Sequence, residues 1–119
     1  MSVVTRLASM LRADAGTRIR LGIVLALIME AVTCLFRLGF DRQSTRDTAW
    51  LAAWTGGIRI HHGYVGVLLL LVAILPLRRW VRGALIVIGI ALVLSDAMHH
   101  VLVLWPVTGS PEFDLRYDT

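Results

Sequence analysis

The four histidines of this chain occur as two adjacent pairs, and each pair lies in a long apolar run, at His61–His62 and at His99–His100. Two carboxylates, Glu30 and Asp96, are embedded in similar apolar sequence. Ionisable groups in such surroundings cost free energy unless they are paired, and imidazole and carboxylate are both ligands of transition metals. The pattern therefore predicts a metal site composed of Glu30, His61, His62, Asp96, His99 and His100.

The spacing of these residues suits metal ligation. On a helix, Asp96, His99 and His100 stand at positions i, i+3 and i+4, within an arc of roughly 100° on one face. That arrangement fits one ion or two neighbouring ions. His61 and His62 diverge by about 100°, so we expect one to ligate and the other to support a second ion or a hydrogen bond.

The elements that position these residues are apolar helices. The chain has 119 residues, is 57% hydrophobic and 17% charged, and has a mean hydropathy of +0.74. A soluble domain of this size cannot bury so much apolar surface, and the composition excludes a disordered chain, a disulfide scaffold and a nucleic-acid module. Three segments are long enough to span a hydrocarbon core of about 30 Å, at residues 19–38, 58–77 and 83–105. The prediction is an all-α integral membrane protein with three transmembrane helices plus short amphipathic surface helices.

The sequence outside the spans predicts the surface helices. Residues 1–16 form an amphipathic N-terminal segment, residues 17–106 the three-helix membrane domain, and residues 107–119 a polar C-terminal tail. Between the first two spans, Ser44–Asp47 is typical of a helix N-cap, and Trp50 and Trp54 follow on one face, as in a helix lying on a membrane. The tail contains Gly109–Phe113, which also matches a cloning linker, although the unbroken transition from the apolar run favours native sequence.

Arginine placement predicts the orientation. The chain has 12 Arg residues and no Lys. Seven of these flank the start of the first span and the turn after the second, which favours an inner N-terminus and an outer C-terminus in a prokaryotic cytoplasmic membrane. Helices that run alternately up and down then bring the six candidate ligands into one layer of the outer leaflet. Gly63 and Gly66 provide a small-residue strip where another helix can approach. Cys34 lies one turn after Glu30, where it could act as a soft ligand, and is interpreted as an ordinary buried thiol.

The favoured function is a small membrane metal-binding protein that holds zinc, iron, copper or manganese, as one ion or two. Bundle di-iron sites also use carboxylates and histidines from facing helices. The segment Asp96–His100 resembles one histidine box, H-x-x-H-H, of membrane desaturases and hydroxylases; its first position is Asp here, and the similarity covers five residues. If the protein is an enzyme, metal-activated water or oxygen acting on a lipid-soluble substrate suits the depth of the site.

Other functions remain open at this point. A b-type haem held by one histidine of each pair would make the chain an electron-transfer subunit. Glu30, Asp96 and the histidines would alternatively relay protons or a cation, or the chain would be a non-catalytic accessory subunit of a membrane complex. The plainest alternative places the histidines at the headgroup boundary and pairs Glu30 with Arg37. The expected partners are the lipid bilayer and copies of the chain or a larger membrane complex, and no nucleic acid.

Overall fold

A computed structural model describes residues 1–40 and 49–116 of the chain. The described residues are mostly helical and include no strand, only an isolated antiparallel bridge between Ile58 and Arg116. The α-helices are α1 (Val3–Leu11), α2 (Ala15–Cys34), α3 (Ala52–Thr55), α4 (His62–Val72), α5 (Arg79–Met98) and α6 (Trp105–Thr108). π-Helical turns extend α2 over Leu35–Gly39 and α5 over His99–Leu104, and a 3₁₀ turn, Ala49–Leu51, precedes α3.

Two continuous helices are long and apolar enough to cross a membrane. They are Ala15–Gly39, of 25 residues, and Arg79–Thr108, of 30 residues. At about 1.5 Å per residue, each exceeds a hydrocarbon core of about 30 Å. Only 17% of the apolar stretch of the first helix and 33% of that of the second are buried inside the protein, whereas the core helix of a soluble protein is mostly buried. Asp14 is the N-cap of the first of these helices, and its carboxylate accepts a hydrogen bond from the Thr17 amide at 2.9 Å. Hydrogen bonding by Thr17 holds the pKa of Asp14 below its usual value.

The second predicted span is only partly helical, so a third spanning helix is not confirmed. The prediction extends over residues 58–77, whereas α4 comprises 11 residues, His62–Val72. Its rise of about 16 Å covers half of a hydrocarbon core. The helix begins at His62, four residues later than predicted. Before it, the Arg59 amide donates to the Leu115 carbonyl at 2.9 Å, and this pairing holds Ile58 and Arg59 outside the helix. The helix ends before Pro76, whose ring disfavours helical backbone in the preceding residue.

Helix α5 lies between α2 and α4, and glycines permit the close approach of α4. A Cβ atom on Gly66 would lie 2.8 Å from the Gly89 carbonyl oxygen, and one on Gly63 would lie 2.6 Å from Asp96 Oδ2. The strip that the sequence indicated on α4 therefore packs directly on α5. It brings the start of α4, with its histidines, to the C-terminal half of α5.

The surface helices occur where the sequence indicates amphipathic segments. α1 packs against the start of α5, where a Cβ on Gly83 would collide with the Leu11 backbone. The 3₁₀ turn and α3 together cover Ala49–Thr55 and expose Trp50 and Trp54, and Gly56 ends α3 in the left-handed conformation with a φ of 64°. The predicted N-cap at Ser44–Asp47 lies outside the described residues.

Candidate metal centre

Three of the six predicted ligands form a compact, buried triad. His61 immediately precedes α4, Asp96 lies in the last turn of α5, and His100 lies in the π-helical extension of α5. His61 Nδ1 is 3.2 Å from His100 Nε2, and Asp96 Oδ1 is 3.9 Å and 3.6 Å from these two nitrogens. All three residues are no more than 6% exposed. Two imidazoles and a carboxylate therefore converge on one point.

Backbone carbonyls determine which nitrogens face that point. His61 Nε2 donates a hydrogen bond to the Asp114 carbonyl at 3.1 Å, and His100 Nδ1 donates to the Pro111 carbonyl. Because a carbonyl only accepts, those nitrogens carry the protons. When both rings are neutral, the facing nitrogens, His61 Nδ1 and His100 Nε2, are acceptors. Together with Asp96 Oδ1 they then border a point that suits a cation.

The size of the triad matches a transition-metal ion. A tetrahedral ion with bonds of about 2.0–2.1 Å places neighbouring ligand atoms roughly 3.3 Å apart. The observed separation of 3.2 Å is already close to that value, and those of 3.6 and 3.9 Å need only a small contraction to reach it. In addition, Asp96 Oδ1 is buried and makes no hydrogen bond to any described residue. Two histidines and one carboxylate leave at least one coordination position open.

His62 lies at the rim of this triad. Its side chain is 38% exposed, and Nδ1 is 3.4 Å from Asp96 Oδ1. His62 is not among the three residues whose ligand atoms lie within 4.8 Å of one another. The two histidines of the first pair thus occupy different positions, because His61 has extended backbone before α4 and His62 is the first residue of the helix.

Glu30 and His99, the remaining predicted ligands, form a second group together with Cys34. Glu30 Oε1 accepts hydrogen bonds from Cys34 Sγ at 3.1 Å and from His99 Nδ1 at 3.0 Å. Five of the six predicted ligands are consequently divided between two neighbouring groups, and His62 lies at the rim of the triad. The sequence places Cys34 one turn after Glu30, on one face of α2, but the interpretation favoured there was an ordinary buried thiol. In place of the alternative Glu30–Arg37 pair, Arg37 pairs with Glu112 at 3.5 Å.

π-Helical turns occur at this level in both long helices. One begins directly after Cys34 and the other begins at His99. A π-turn contains more residues than an α-turn, so consecutive side chains diverge less around the axis, and such turns are frequent at functional sites. His99 and His100 are both buried as a result, and each contributes to one of the two groups.

The segment of residues 110–116, here called the tail strap, covers the triad. It provides the two carbonyls that bind His61 and His100, and Phe113 stacks on His100 with ring centroids 4.2 Å apart. Arg59, beside the triad, donates to the Glu112 carbonyl at 3.4 Å and lies 3.7 Å from Asp114 Oδ2. The strap thereby encloses the donors and orients their rings.

No protein-family model matches the chain, and neither a curated protein nor a solved structure shows significant similarity to it. The functional argument therefore rests on the geometry of the two groups.

Proposed function

We propose that the chain is a small integral membrane metalloprotein in which His61, Asp96 and His100 bind one divalent transition-metal ion. The observation that carries this proposal is the convergence of two imidazole nitrogens, whose rings bind backbone carbonyls on the far side, and an unpartnered carboxylate oxygen on a buried point. An ion at this point would be held by all three atoms. The carbonyls of the tail strap serve as the outer partners that orient metal-bound histidines.

The donor set favours zinc or iron(II) among the transition metals. Two histidines and one carboxylate bind zinc in hydrolytic enzymes and form the ligand set of non-haem iron oxygenases. A haem is less well supported, because 3.2 Å between His61 Nδ1 and His100 Nε2 leaves no room for a macrocycle. An ion held by three protein ligands keeps a position at which water or oxygen is activated, and this supports chemistry on a lipid-soluble substrate.

The proposal includes insertion in a membrane with three crossings. α2 and α5 cross as continuous helices, and residues 58–77 cross with α4 in the middle and non-helical ends. Non-helical backbone is tolerated at membrane depth where protein covers it, and the strap pairs with Ile58 and Arg59 at one such end. Because three helices bury little surface, association with copies of the chain or with a larger membrane complex belongs to the proposal.

The proposed orientation places the N-terminus inside. Arg79 Nη2 donates to the Arg12 carbonyl at 3.3 Å and Arg18 Nε to the Leu11 carbonyl at 3.1 Å, so these arginines gather at one end of the molecule. The triad lies at the opposite end of α5. A cationic end is retained on the cytoplasmic side, which assigns the triad to the outer leaflet of a prokaryotic cytoplasmic membrane.

Metal analysis tests the proposal. Protein purified without chelators and loaded with zinc is expected to retain it in stoichiometric amount. His61→Ala and His100→Ala are each expected to lose one equivalent, because either change removes one of three ligands. His62→Ala is the matched control, as it removes an imidazole from the rim and leaves the triad intact. Retention of all metal by His100→Ala, or no metal in the unaltered chain, would overturn the proposal, and a Soret band would establish haem instead.

A further inference from the structure

We infer that Glu30, Cys34 and His99 form a second metal site, beside the triad, to which Cys34 contributes a thiolate. This inference rests on the proposed function, since it describes a second ion in the same polar layer. The three ligand atoms lie within 4.8 Å of one another. α2 supplies Glu30 and Cys34 from successive turns, and the π-helical extension of α5 supplies His99.

An unpartnered carboxylate oxygen points to a ligand at this site. Glu30 is 9% exposed, and its Oε1 already accepts from Cys34 and His99. Its other oxygen, Oε2, is buried and has no hydrogen-bond partner within the described part of the chain. A buried carboxylate is costly unless both oxygens are satisfied, and a cation bound by both oxygens of Glu30 would satisfy Oε2 without a further donor.

The charges of the group balance those of a divalent ion. Binding releases the thiol proton of Cys34 to solvent and moves the proton of His99 from Nδ1 to Nε2, which frees the nitrogen that faces Glu30. The thiolate and the carboxylate then offset the two positive charges of the ion, and the complex is neutral. Neutrality matters at this depth because an uncompensated charge is expensive in a low-dielectric interior.

The ligands also select the class of metal. A thiolate is a soft donor and favours zinc, cobalt or a copper ion over magnesium, calcium or manganese. The triad has no sulfur ligand and therefore lacks this preference. His99 and His100 are consecutive, with ring centroids 5.8 Å apart, so the two ions would be neighbours with no shared ligand.

Cobalt(II) titration of the reduced, full-length protein in detergent separates the two sites. A cobalt–thiolate bond gives a charge-transfer absorption in the near ultraviolet, and Cys34 is the only cysteine of the chain. We expect two equivalents of cobalt and this absorption in the unaltered protein. Cys34→Ser is expected to lose the absorption and one equivalent, whereas His100→Ala loses one equivalent and keeps the absorption.

The outcomes distinguish this inference from the proposed function. One equivalent without thiolate absorption, abolished by His100→Ala, would overturn the second site and leave the triad standing. One equivalent with the absorption, unaffected by His100→Ala, would overturn the triad and leave the second site standing. No bound cobalt would overturn both sites. If Cys34→Ser does not fold, alkylation of the unaltered chain decides the question: zinc is expected to protect Cys34 and a chelator to restore its reactivity, and unchanged alkylation counts against the site.

Discussion

At the scale of single residues, Asp96 is the residue of the candidate centre that lies near three of the four histidines. Its Oδ1 lies within 3.9 Å of nitrogens from three histidines, His61, His62 and His100. The carboxylate contributes the only negative charge of the triad, and nothing in the described chain donates a hydrogen bond to Oδ1. In the proposed metalloprotein, coordination of one ion would satisfy this carboxylate oxygen together with His61 Nδ1 and His100 Nε2.

Asp96→Asn tests that role with little change in shape. The amide keeps an oxygen but loses the charge, and its NH₂ group brings protons to the point where the ion binds. We expect the affinity for zinc to fall by about a hundredfold or more, since even the loss of an outer partner of a metal ligand costs about 10–100-fold. Competition with a chromophoric chelator measures the change.

Ser95→Ala is the matched control for Asp96→Asn. Ser95 is 1% exposed and adjacent to Asp96, and its hydroxyl has no hydrogen-bond partner within the described residues. Removing this hydroxyl is expected to leave metal affinity unchanged. Equal zinc affinity in Asp96→Asn and in the unaltered chain would show that the carboxylate is not a ligand.

At the scale of elements, the tail strap completes the candidate centre. The extended segment before α4 supplies His61, and α5 and its extension supply Asp96 and His100. The strap supplies the carbonyls that bind His61 Nε2 and His100 Nδ1. Backbone pairing between Arg59 and Leu115 and the stacking of Phe113 on His100 hold the strap in place. The ligands are therefore positioned by helix packing but oriented by the strap.

Removal of residues 111–119 is expected to weaken metal binding by about 10–100-fold, because both imidazoles lose the hydrogen bonds that fix their tautomers. The same chelator competition measures this effect. Asp114→Ala provides the control, since it keeps the backbone carbonyl that binds His61 and is expected to retain the affinity. A shortened chain that binds zinc as tightly as the full chain would rule out an orienting role for the strap.

At the scale of the whole molecule, the number of crossings determines where the termini lie. The described residues include two helices of spanning length. Two crossings would place both termini on one side of the membrane. The three crossings proposed above place them on opposite sides. The difference between two and three crossings depends on the short α4 and its non-helical flanks.

Cysteine labelling counts the crossings. In a Cys34→Ser background, Ser2→Cys and Ser110→Cys place single thiols near the two ends of the chain. A membrane-impermeant maleimide applied to intact cells is expected to label Ser110→Cys and to spare Ser2→Cys until the membrane is opened. Labelling of both or of neither in intact cells would show an even number of crossings and reject the three-span arrangement.

The helical class, the two long apolar helices and the residue types of the candidate centre could be predicted from the sequence. These follow from local physics: apolar runs of sufficient length form helices, and imidazoles and carboxylates within them need partners. The different positions of His61 and His62 were predicted from helical divergence, but they arise because His61 has extended backbone before α4.

The grouping of the candidate ligands depends on contacts between helices that are present only in the tertiary structure. Helical spacing specifies which residues share a face, but the rotation and depth of one helix against another depend on packing, here the contact of Gly63 and Gly66 with α5. That contact joins His61 to Asp96 and His100, and the packing of α2 joins Cys34 and Glu30 to His99. The contacts of the strap could not be predicted from local sequence either, because they join residues 111–116 to residues far back in the chain.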